Sequence, residues 1–552
     1  MSSGGWRRRG RAGAVAVALG LGWVVGYPLL LTAAEAFGGA GGWTLDHFGE
    51  FFRRADEWRA LWRSTWISVV SVALAAVVGV PLAFVFERAD FPGRRLLGAL
   101  VALPVALPPL VGVIAFLFLY GESGFLARGL QALGLDVRWR LSGPWAILLV
   151  HAYSMYVYFY LFTRAGLARL DAALLEAAGA LGAGRMRTLL RVTLPLLRPV
   201  LAGAALLTFM TALASFSAPY IFGGGFRVMT TQIVASKLNG DLAMAHVETV
   251  MLALLALGGL LLLRRIDTRA DLVAGERGVA PTRVRIERRW ARALAAGAGW
   301  GAALVLLLPH LTLILLSLVP PHTWTVEALP PVLDWSNYRV LATEPERLRP
   351  ILNSLWMASV ATLGALALGI AGARLALRHR GPLGGALEGL LVLPWAIPGT
   401  VFAIALAAAF SVSQPWALRF VLIGTPWLLP LAYLVRSLPV TGRGALAGLR
   451  RLDPTLEEAA ASLGASARRT LWRVVLPALR PALVAAAGLA FIIALGDFVT
   501  SIVLYTFETR PIAIEILSSL RLQETGVAAA YGVLLMALST AAFLVWGGRA
   551  EP

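Results

Sequence analysis

Apolar runs long enough to cross a lipid bilayer recur along the whole 552-residue sequence. One crossing needs about 20 predominantly apolar residues. Charged residues make up only 14% of the chain, against about 25% in soluble domains, which excludes a soluble enzyme and a disordered chain. The sequence therefore predicts an all-α integral membrane protein with about 12 transmembrane helices. Their approximate positions are 12–34, 62–86, 96–120, 143–163, 196–218, 247–265, 291–318, 353–377, 384–410, 417–437, 478–503 and 528–547.

Proline breaks two of these runs. Pro104, Pro108 and Pro109 interrupt the third span, and Pro394 and Pro398 interrupt the ninth. Membrane helices tolerate proline where neighbouring groups satisfy the freed backbone. We therefore expect both spans to cross the bilayer as broken helices.

The arginine distribution predicts the orientation of the chain. Four arginines lie within the first eleven residues, and segments 164–198, 264–292 and 436–480 contain six, nine and eight. Basic residues are enriched in cytoplasmic loops, so we expect a cytoplasmic N-terminus. This placement accounts for much of the net charge of +19 without a nucleic-acid partner. The first apolar run exceeds a typical signal-peptide core, so we expect it to remain as the first helix.

The second part of the sequence repeats the first. Residues 170–199 align with 452–481 at an offset of 282, with 19 of 30 positions identical. The third spans and the starts of the second spans align at an offset of 290. Both halves have the same orientation, which predicts a pseudo-two-fold axis along the membrane normal with a pathway between the halves. We predict a first half at 1–265, a cytoplasmic linker at 266–290 and a second half at 291–552.

The duplicated segment predicts a short helix–turn–helix outside the bilayer. Asp171 and Asp453 occupy N-cap positions, and Pro454 suits the first turn. Gly182 and Gly464 stand where a helix ends in a left-handed residue. The neighbouring alanines form a flat face that another protein can approach closely. An amphipathic loop lying on the lipid headgroups is the alternative, but two copies at equivalent places favour docking.

These two segments resemble the EAA loops of ABC importer permeases. We call 168–195 the first EAA loop and 450–477 the second EAA loop. The matching residues are Glu176, Ala177, Ala178, Gly182 and Pro195 in the first, and Glu458, Ala459, Ala460, Gly464 and Pro477 in the second. The resemblance covers nearly the whole chain. It implies two tandem six-helix units of a type I permease, and the fused arrangement resembles the ferric-iron/thiamine branch.

The resemblance implies a location in a bacterial inner membrane, partners and a function. Two copies of an ATP-binding subunit would dock under the EAA loops, and a solute-binding protein would dock on the outer face. The chain would form the translocation pathway, with ferric iron as the first expected cargo and thiamine as the second. Permeases for aminoethylphosphonate, polyamines, sulfate or molybdate share much of this pattern and stay open as alternatives.

The sequence contains no P-loop motif for binding ATP. A P-loop needs a Gly-Lys pair, and the single lysine, Lys237, follows Ser236. Cysteine is absent and the six histidines are scattered, so we expect no metal site and no cofactor. A membrane-embedded hydrolase is disfavoured because the HExxH and GxSxG motifs are missing. An ATP-independent secondary transporter would fit the repeats but would not need two docking loops.

Polar residues inside the spans are candidates for the translocation pathway, because ionisable groups are costly there. Asp497 is the clearest, and the repeat aligns it with Ser215. The alternative is that Asp497 caps a helix or pairs with an arginine. On the fourth span, Tyr153 and Tyr156 share a face, and His151 precedes them. They either line the pathway or pack between helices, and packing is the favoured interpretation.

Overall fold

The computed structural model describes residues 3–39, 42–102, 104, 108–135, 141–267, 284–285, 288–324, 327–379 and 381–547. Helices dominate this part of the chain, as predicted. The first half contains α1 (Ser3–Leu21), α2 (Tyr27–Ala36), α3 (Asp46–Arg53), α4 (Ala55–Arg88), α5 (Arg94–Ala102), α6 (Pro109–Tyr120), α7 (Phe125–Ala132), α8 (Gly143–Leu167), α9 (Ala172–Ala180), α10 (Arg185–Thr188), α11 (Leu194–Leu213), α12 (Ser217–Phe222), α13 (Met229–Leu238) and α14 (Leu242–Asp267).

The second half repeats most of this order. It contains α15 (Arg289–Ser317), α16 (Ser336–Thr343), α17 (Pro345–Arg378), α18 (Pro382–Ala396), α19 (Gly399–Ala409), α20 (Leu428–Arg451), α21 (Thr455–Ser462), α22 (Ala467–Thr470), α23 (Leu476–Leu495), α24 (Val499–Leu504), α25 (Ile512–Arg521) and α26 (Thr525–Gly547). Corresponding helices have matching lengths: 34 residues in α4 and α17, 20 in α11 and α23, and 10 in α13 and α25.

Within the described residues, ten helices are long and apolar enough to cross a membrane, and the bent pair α18–α19 raises the number to eleven. The predicted tenth span, at 417–437, is wrong in its bounds. Gly424, with a φ of 78°, and Pro426 interrupt the helical backbone within that apolar run, and α20 begins at Leu428. Because α20 contains four arginines, it is less apolar than the other spans and is not among these eleven.

The third and ninth spans are broken, as the prolines predict. The third consists of α5 and α6, with Pro108 directly before α6. The ninth consists of α18 and α19, which meet at an angle of 112° next to Pro398. At each break, the carbonyl of the preceding proline accepts a hydrogen bond from the start of the second segment: Val111 donates to Pro108 at 3.0 Å, and Val401 donates to Pro398 at 3.1 Å.

Small residues bring the second and fourth spans of each half close together. A Cβ atom at Gly79 of α4 would overlap the Tyr156 carbonyl of α8, and one at Gly369 of α17 would lie 2.9 Å from Thr441 Oγ1 of α20. Membrane helices pack by close contact of this kind, because lipid provides little hydrophobic drive for their association. The fourth span of each half is thereby held rigidly against the second.

The two halves are interlocked by their first helices. In the first half, α1 and α2 pack against α18 and α19 of the second half, while α15 of the second half packs against α5 and α6. The largest hydrophobic core is shared by the two halves, because it contains Leu110 and Phe216 from the first half and Phe410 and Phe498 from the second.

Four two-residue strands complete the described structure. Gly38–Gly39 (β1) pairs antiparallel with Gly42–Trp43 (β2), and Ala89–Asp90 (β3) pairs parallel with Val284–Arg285 (β4). Most of the predicted linker, residues 268–283 and 286–287, lies outside the described residues.

Candidate functional site

The two EAA loops have the same backbone geometry. Asp171 accepts a hydrogen bond from the Ala173 amide at 3.0 Å, and Asp453 accepts one from Thr455 at 2.9 Å. The short helices α9 and α21 follow, and both end at a glycine with a φ of 76°, Gly182 and Gly464. The predicted caps and left-handed glycines are therefore confirmed. Each loop continues into a π-helical turn, Leu189–Thr193 or Leu471–Val475.

The loop surfaces contain an apolar feature that the sequence reasoning missed. Leu181 and Leu463, each next to its left-handed glycine, are both 88% exposed. Glu176 and Glu458 are exposed on the same short helices, whereas Ala460 is buried. Pro195 and Pro477 lie in the first turns of α11 and α23. The repeat therefore places one exposed leucine beside the left-handed turn of each loop.

Only the second EAA loop has a described ion pair to the second span of its half. Glu457 of α21 lies 3.1 Å from Arg374 and 2.5 Å from Arg378, both on α17. The repeat places Leu175 at the corresponding position of the first loop. The two loops therefore present similar outer surfaces, but they are attached differently to the membrane domain.

A pair of aromatic rings closes the interface between the halves at the opposite end of α11 and α23. Phe216 follows α11, Phe498 follows α23, and their ring centroids are 5.7 Å apart. Tyr220 of α12 stacks on Phe216 at 5.1 Å. Phe216 and Phe498 are 1% and 2% exposed. We call Phe216 and Phe498 the gate pair.

The residue before each gate phenylalanine is polar, and the fourth span of its half contacts it. In the first half, Ser215 Oγ lies 2.9 Å from His151 Nε2. The other ring nitrogen of His151, Nδ1, is 2.8 Å from Ser71 Oγ on α4. His151 and Ser215 were both pathway candidates, and the structure brings them together beside the gate pair.

In the second half, Asp497 occupies the corresponding place. Asp497 Oδ1 accepts a hydrogen bond from the Thr500 amide at 2.8 Å, and Oδ2 lies 2.7 Å from Arg436 Nε. The Nε–H is not directed along this contact, so it is an ion pair rather than a hydrogen bond. The Asp497 side chain is 2% exposed and that of Arg436 is 26% exposed. Asp497 therefore both caps α24 and pairs with an arginine, so its charge is balanced.

Arg436 was not among the predicted pathway residues, because it lies at the start of the arginine-rich segment 436–480. The structure places it eight residues into α20, against the first residue of α19, where a Cβ on Gly399 would overlap Arg436 Nη1. The repeat could have found it, because a constant offset of 282 pairs Arg436 with Ser154 and Tyr433 with His151. Tyr433 OH lies 2.6 Å from Ser501 Oγ.

The two candidate tyrosines of the fourth span take part in helix packing. Tyr153 OH donates to the Leu306 carbonyl of α15 at 2.6 Å, and Tyr156 OH donates to the Val101 carbonyl of α5 at 2.5 Å. Both rings are buried. Both hydroxyl groups bind backbone carbonyls, and Tyr153 OH also lies 2.8 Å from His310 Nδ1 of α15. These contacts join α8 to α5 and α15.

The fold and these sites together define a membrane permease built from two equivalent halves, with a pair of equivalent loops at one end of the helices and a closed aromatic contact at the other. The chain belongs to the family described as "Binding-protein-dependent transport system inner membrane component", whose profile matches residues 75–271 and 365–546. The two matches correspond to the two halves, so this is a fused, two-half type I permease of the ABC transporter class, located in the inner membrane.

Related proteins agree with this family. A "Probable ABC transporter permease protein" of Sinorhizobium fredii is 30% identical over 91% of this chain and 89% of its own length. The ferric transport system permease of Actinobacillus pleuropneumoniae is 26% identical over 88% of this chain and 69% of its length. The thiamine transport system permease of Brucella abortus is 30% identical over 46% of each. A solved bacterial ABC transporter involved in alginate import covers 48% of this chain at 18% identity, with a TM-score of 0.39.

Proposed function

We propose that this chain forms the translocation pathway of an ABC importer and that a separate pair of ATP-binding subunits drives it. The observation that carries the proposal is the equivalence of the two EAA loops. Each ends its short helix at a glycine with a φ of 76° and exposes a neighbouring leucine, Leu181 or Leu463. Two like surfaces suit two copies of one partner, because symmetric partners need equivalent contacts.

The pathway in this proposal runs between the halves and is closed by the gate pair. The arginine-rich EAA loops lie in the cytoplasm, as does the N-terminus, so the gate pair lies toward the outer face. ATP would act on the EAA loops and a loaded solute-binding protein on the outer face. Each would shift the same equilibrium between inward-open and outward-open forms, according to its differential affinity for the two.

Ferric iron is the proposed cargo. The ferric transport permease relative matches 88% of this chain, across both halves. Thiamine is the second candidate, because the thiamine permease relative reaches 30% identity, although over 46% of the chain. In either case the pathway would bind its cargo weakly, since a solute that passes through must be released.

Co-purification tests the partnership. We expect the tagged chain, extracted gently from its host, to retain an ATP-binding subunit, and the charge reversals Glu176→Arg with Glu458→Arg to release it. Leu181→Ala with Leu463→Ala should weaken the same complex. Arg349→Met, at the opposite end of the helices, is the control. An ATPase that stays bound to both double variants contradicts docking at the EAA loops.

Uptake tests the cargo. Cells in which the gene is deleted should lose uptake of radiolabelled iron and regain it from a plasmid copy, while thiamine uptake stays unchanged. Loss of thiamine uptake with normal iron uptake would reverse the two candidates. If neither changes, both cargoes are wrong, and the solute-binding protein recovered with the chain becomes the reagent for screening other solutes.

A further inference from the structure

The helix that leads into each EAA loop also contacts the turn before a gate phenylalanine. In the first half, α8 ends at Leu167 and the loop helix α9 begins at Ala172. In the second half, α20 ends at Arg451 and α21 begins at Thr455. Each fourth span therefore has one end at a docking loop and its middle beside the gate pair.

In the first half, this contact is a chain of neutral hydrogen-bonding groups. His151 lies between Ser71 of α4 and Ser215 at the end of α11, 2.8 and 2.9 Å from their hydroxyl oxygens. The Ser215 carbonyl accepts a hydrogen bond from Thr230 Oγ1 of α13 at 2.7 Å. Displacement of α8 would therefore pull on the backbone that bears Phe216.

In the second half, an ion pair connects the fourth span to the turn before the gate phenylalanine. Arg436 of α20 holds Asp497, and Asp497 caps the first turn of α24 through the amide and hydroxyl of Thr500, both at 2.8 Å. Tyr433, one turn before Arg436, adds a contact to Ser501 at 2.6 Å. Displacement of α20 would therefore pull on the backbone that bears Phe498.

The two halves achieve one connection with different chemistry. His151 corresponds to Tyr433, Ser154 to Arg436 and Ser215 to Asp497 in the repeat. A substrate-binding role would depend on the particular polar group. A mechanical role depends only on a contact between the fourth span and the turn before the gate phenylalanine. Because both halves keep this contact but use different side chains for it, the mechanical role is favoured.

We propose that the His151–Ser215 and Arg436–Asp497 contacts couple the EAA loops to the gate pair, so that movement of the docked ATPases opens and closes the pathway at the far end. These four are positioning residues, and the inference rests on the proposed importer function. Removal of one member of a buried ion pair leaves the other charge without a partner, which costs more than the loss of one neutral hydrogen bond. Loss of the Arg436–Asp497 contact should therefore uncouple the gate more than loss of the His151–Ser215 contact.

The natural absence of cysteine makes a direct test possible. Asn239→Cys and Leu522→Cys place spin labels at exposed, equivalent positions just after α13 and α25. The labelled full chain, with its ATPase and binding protein in liposomes, reports the distance across the axis with and without a non-hydrolysable ATP analogue. The variants are Ser215→Ala and Asp497→Asn. Ser154→Ala is the matched control, because its hydroxyl donates only within α8, to Val150 at 2.8 Å.

We expect both variants to keep their ATPase and hydrolyse ATP, while the ATP-driven change in distance shrinks. For Asp497→Asn, the ATP consumed per solute transported should rise about tenfold, because the variant leaves the partly buried Arg436 charge without its counter-charge. Ser215→Thr keeps a hydroxyl and should restore coupling, which a general loss of stability would not predict. Ser154→Ala should behave like the parent chain.

Wild-type distance changes and wild-type ATP consumption in both variants would overturn the coupling. If Asp497→Asn fails to fold, Ser215→Ala decides the matter, because it removes a single hydroxyl. Failure of the importer function looks different: the unmodified chain would then retain no ATPase and show no response to the ATP analogue.

Discussion

Phe216 and Phe498 occupy equivalent positions of the two halves, and their rings touch, with centroids 5.7 Å apart. Two equivalent residues can meet only where the pseudo-two-fold axis passes between them. The axis therefore runs through this contact, and the helix turns after α11 and α23 face each other across it. A pathway along the axis is closed at this point.

Cross-linking of the gate pair should lock the transporter. In a Phe216→Cys/Phe498→Cys chain with a protease site inserted between residues 270 and 280, a short bifunctional thiol reagent should join the halves. After cleavage, the cross-linked halves should remain one band on a denaturing gel. The cross-linked transporter should no longer transport solute. Binding of ATP and the loaded binding protein should slow the reaction, since opening separates the two positions.

The control for this experiment pairs Phe216→Cys with Phe507→Cys, because Phe507 is 60% exposed and outside the gate contact. Its halves should separate after cleavage. Equal cross-linking of the two pairs would mean that the reagent reports flexibility rather than contact. Equal rates with and without ATP would mean that the gate pair does not open.

Gly182 and Gly464 should tolerate substitution poorly, although each has open space around its Cα. A φ of 76° costs a residue with a side chain about 1–2 kcal/mol, which corresponds to a 5–30-fold loss in the population of the loop shape. Gly182→Ala should lower ATPase retention by that order, and Gly182→Asn by less. Gly184→Ala, two residues on at a φ of −65°, should have little effect. Normal coupling of transport to ATP hydrolysis in a Gly182→Pro variant would contradict the role of this turn.

A buried polar cluster in each half gives a contrasting pair of predictions. In the first half, Glu57 and Glu248 contact each other, with donors from Gln232 at 3.1 Å and Ser236 at 2.7 Å. Two like charges in contact at a buried site repel each other. Glu57→Gln removes one of the two carboxyl groups and keeps a hydrogen-bonding side chain of the same size, so the melting temperature should stay unchanged or rise.

The second half has Arg347 where the first has Glu57. Arg347 lies 3.3 Å from Glu515 and 2.7 Å from Glu524. Removal of one partner from a buried ion pair costs about 3–5 kcal/mol where the other charge is left unpaired. Glu515 keeps Arg510 as a second partner at 2.7 Å, so Arg347→Gln should lower the melting temperature, but by less than this full cost. A larger loss for Glu57→Gln than for Arg347→Gln would refute this account of both clusters.

The helices, the repeat and the EAA loops could be predicted from sequence, because each depends on residues close together in the chain. The bounds of the tenth span could not, because the apolar run at 417–437 continues through Gly424 and Pro426 without a break in hydropathy. The Arg436–Asp497 pair joins residues of different helices, so no local pattern indicates it. The repeat did contain a signal for the gate pair, because Phe216 and Phe498 are equivalent residues, and equivalent residues beside the pseudo-two-fold axis contact each other.

Gly399→Ala tests the Arg436–Asp497 contact without changing either charge. A Cβ at position 399 would overlap the Arg436 guanidinium, so the side chain must move and its contact with Asp497 must lengthen. We expect the variant to hydrolyse ATP but to transport less solute per ATP, as for Asp497→Asn. Gly112→Ala is the control, because nothing lies within 4 Å of its added carbon, and alanine should stabilise α6 by about 0.5–1 kcal/mol. Normal transport by Gly399→Ala would mean that Arg436 can shift without loss of coupling, and the ion pair would then serve stability alone.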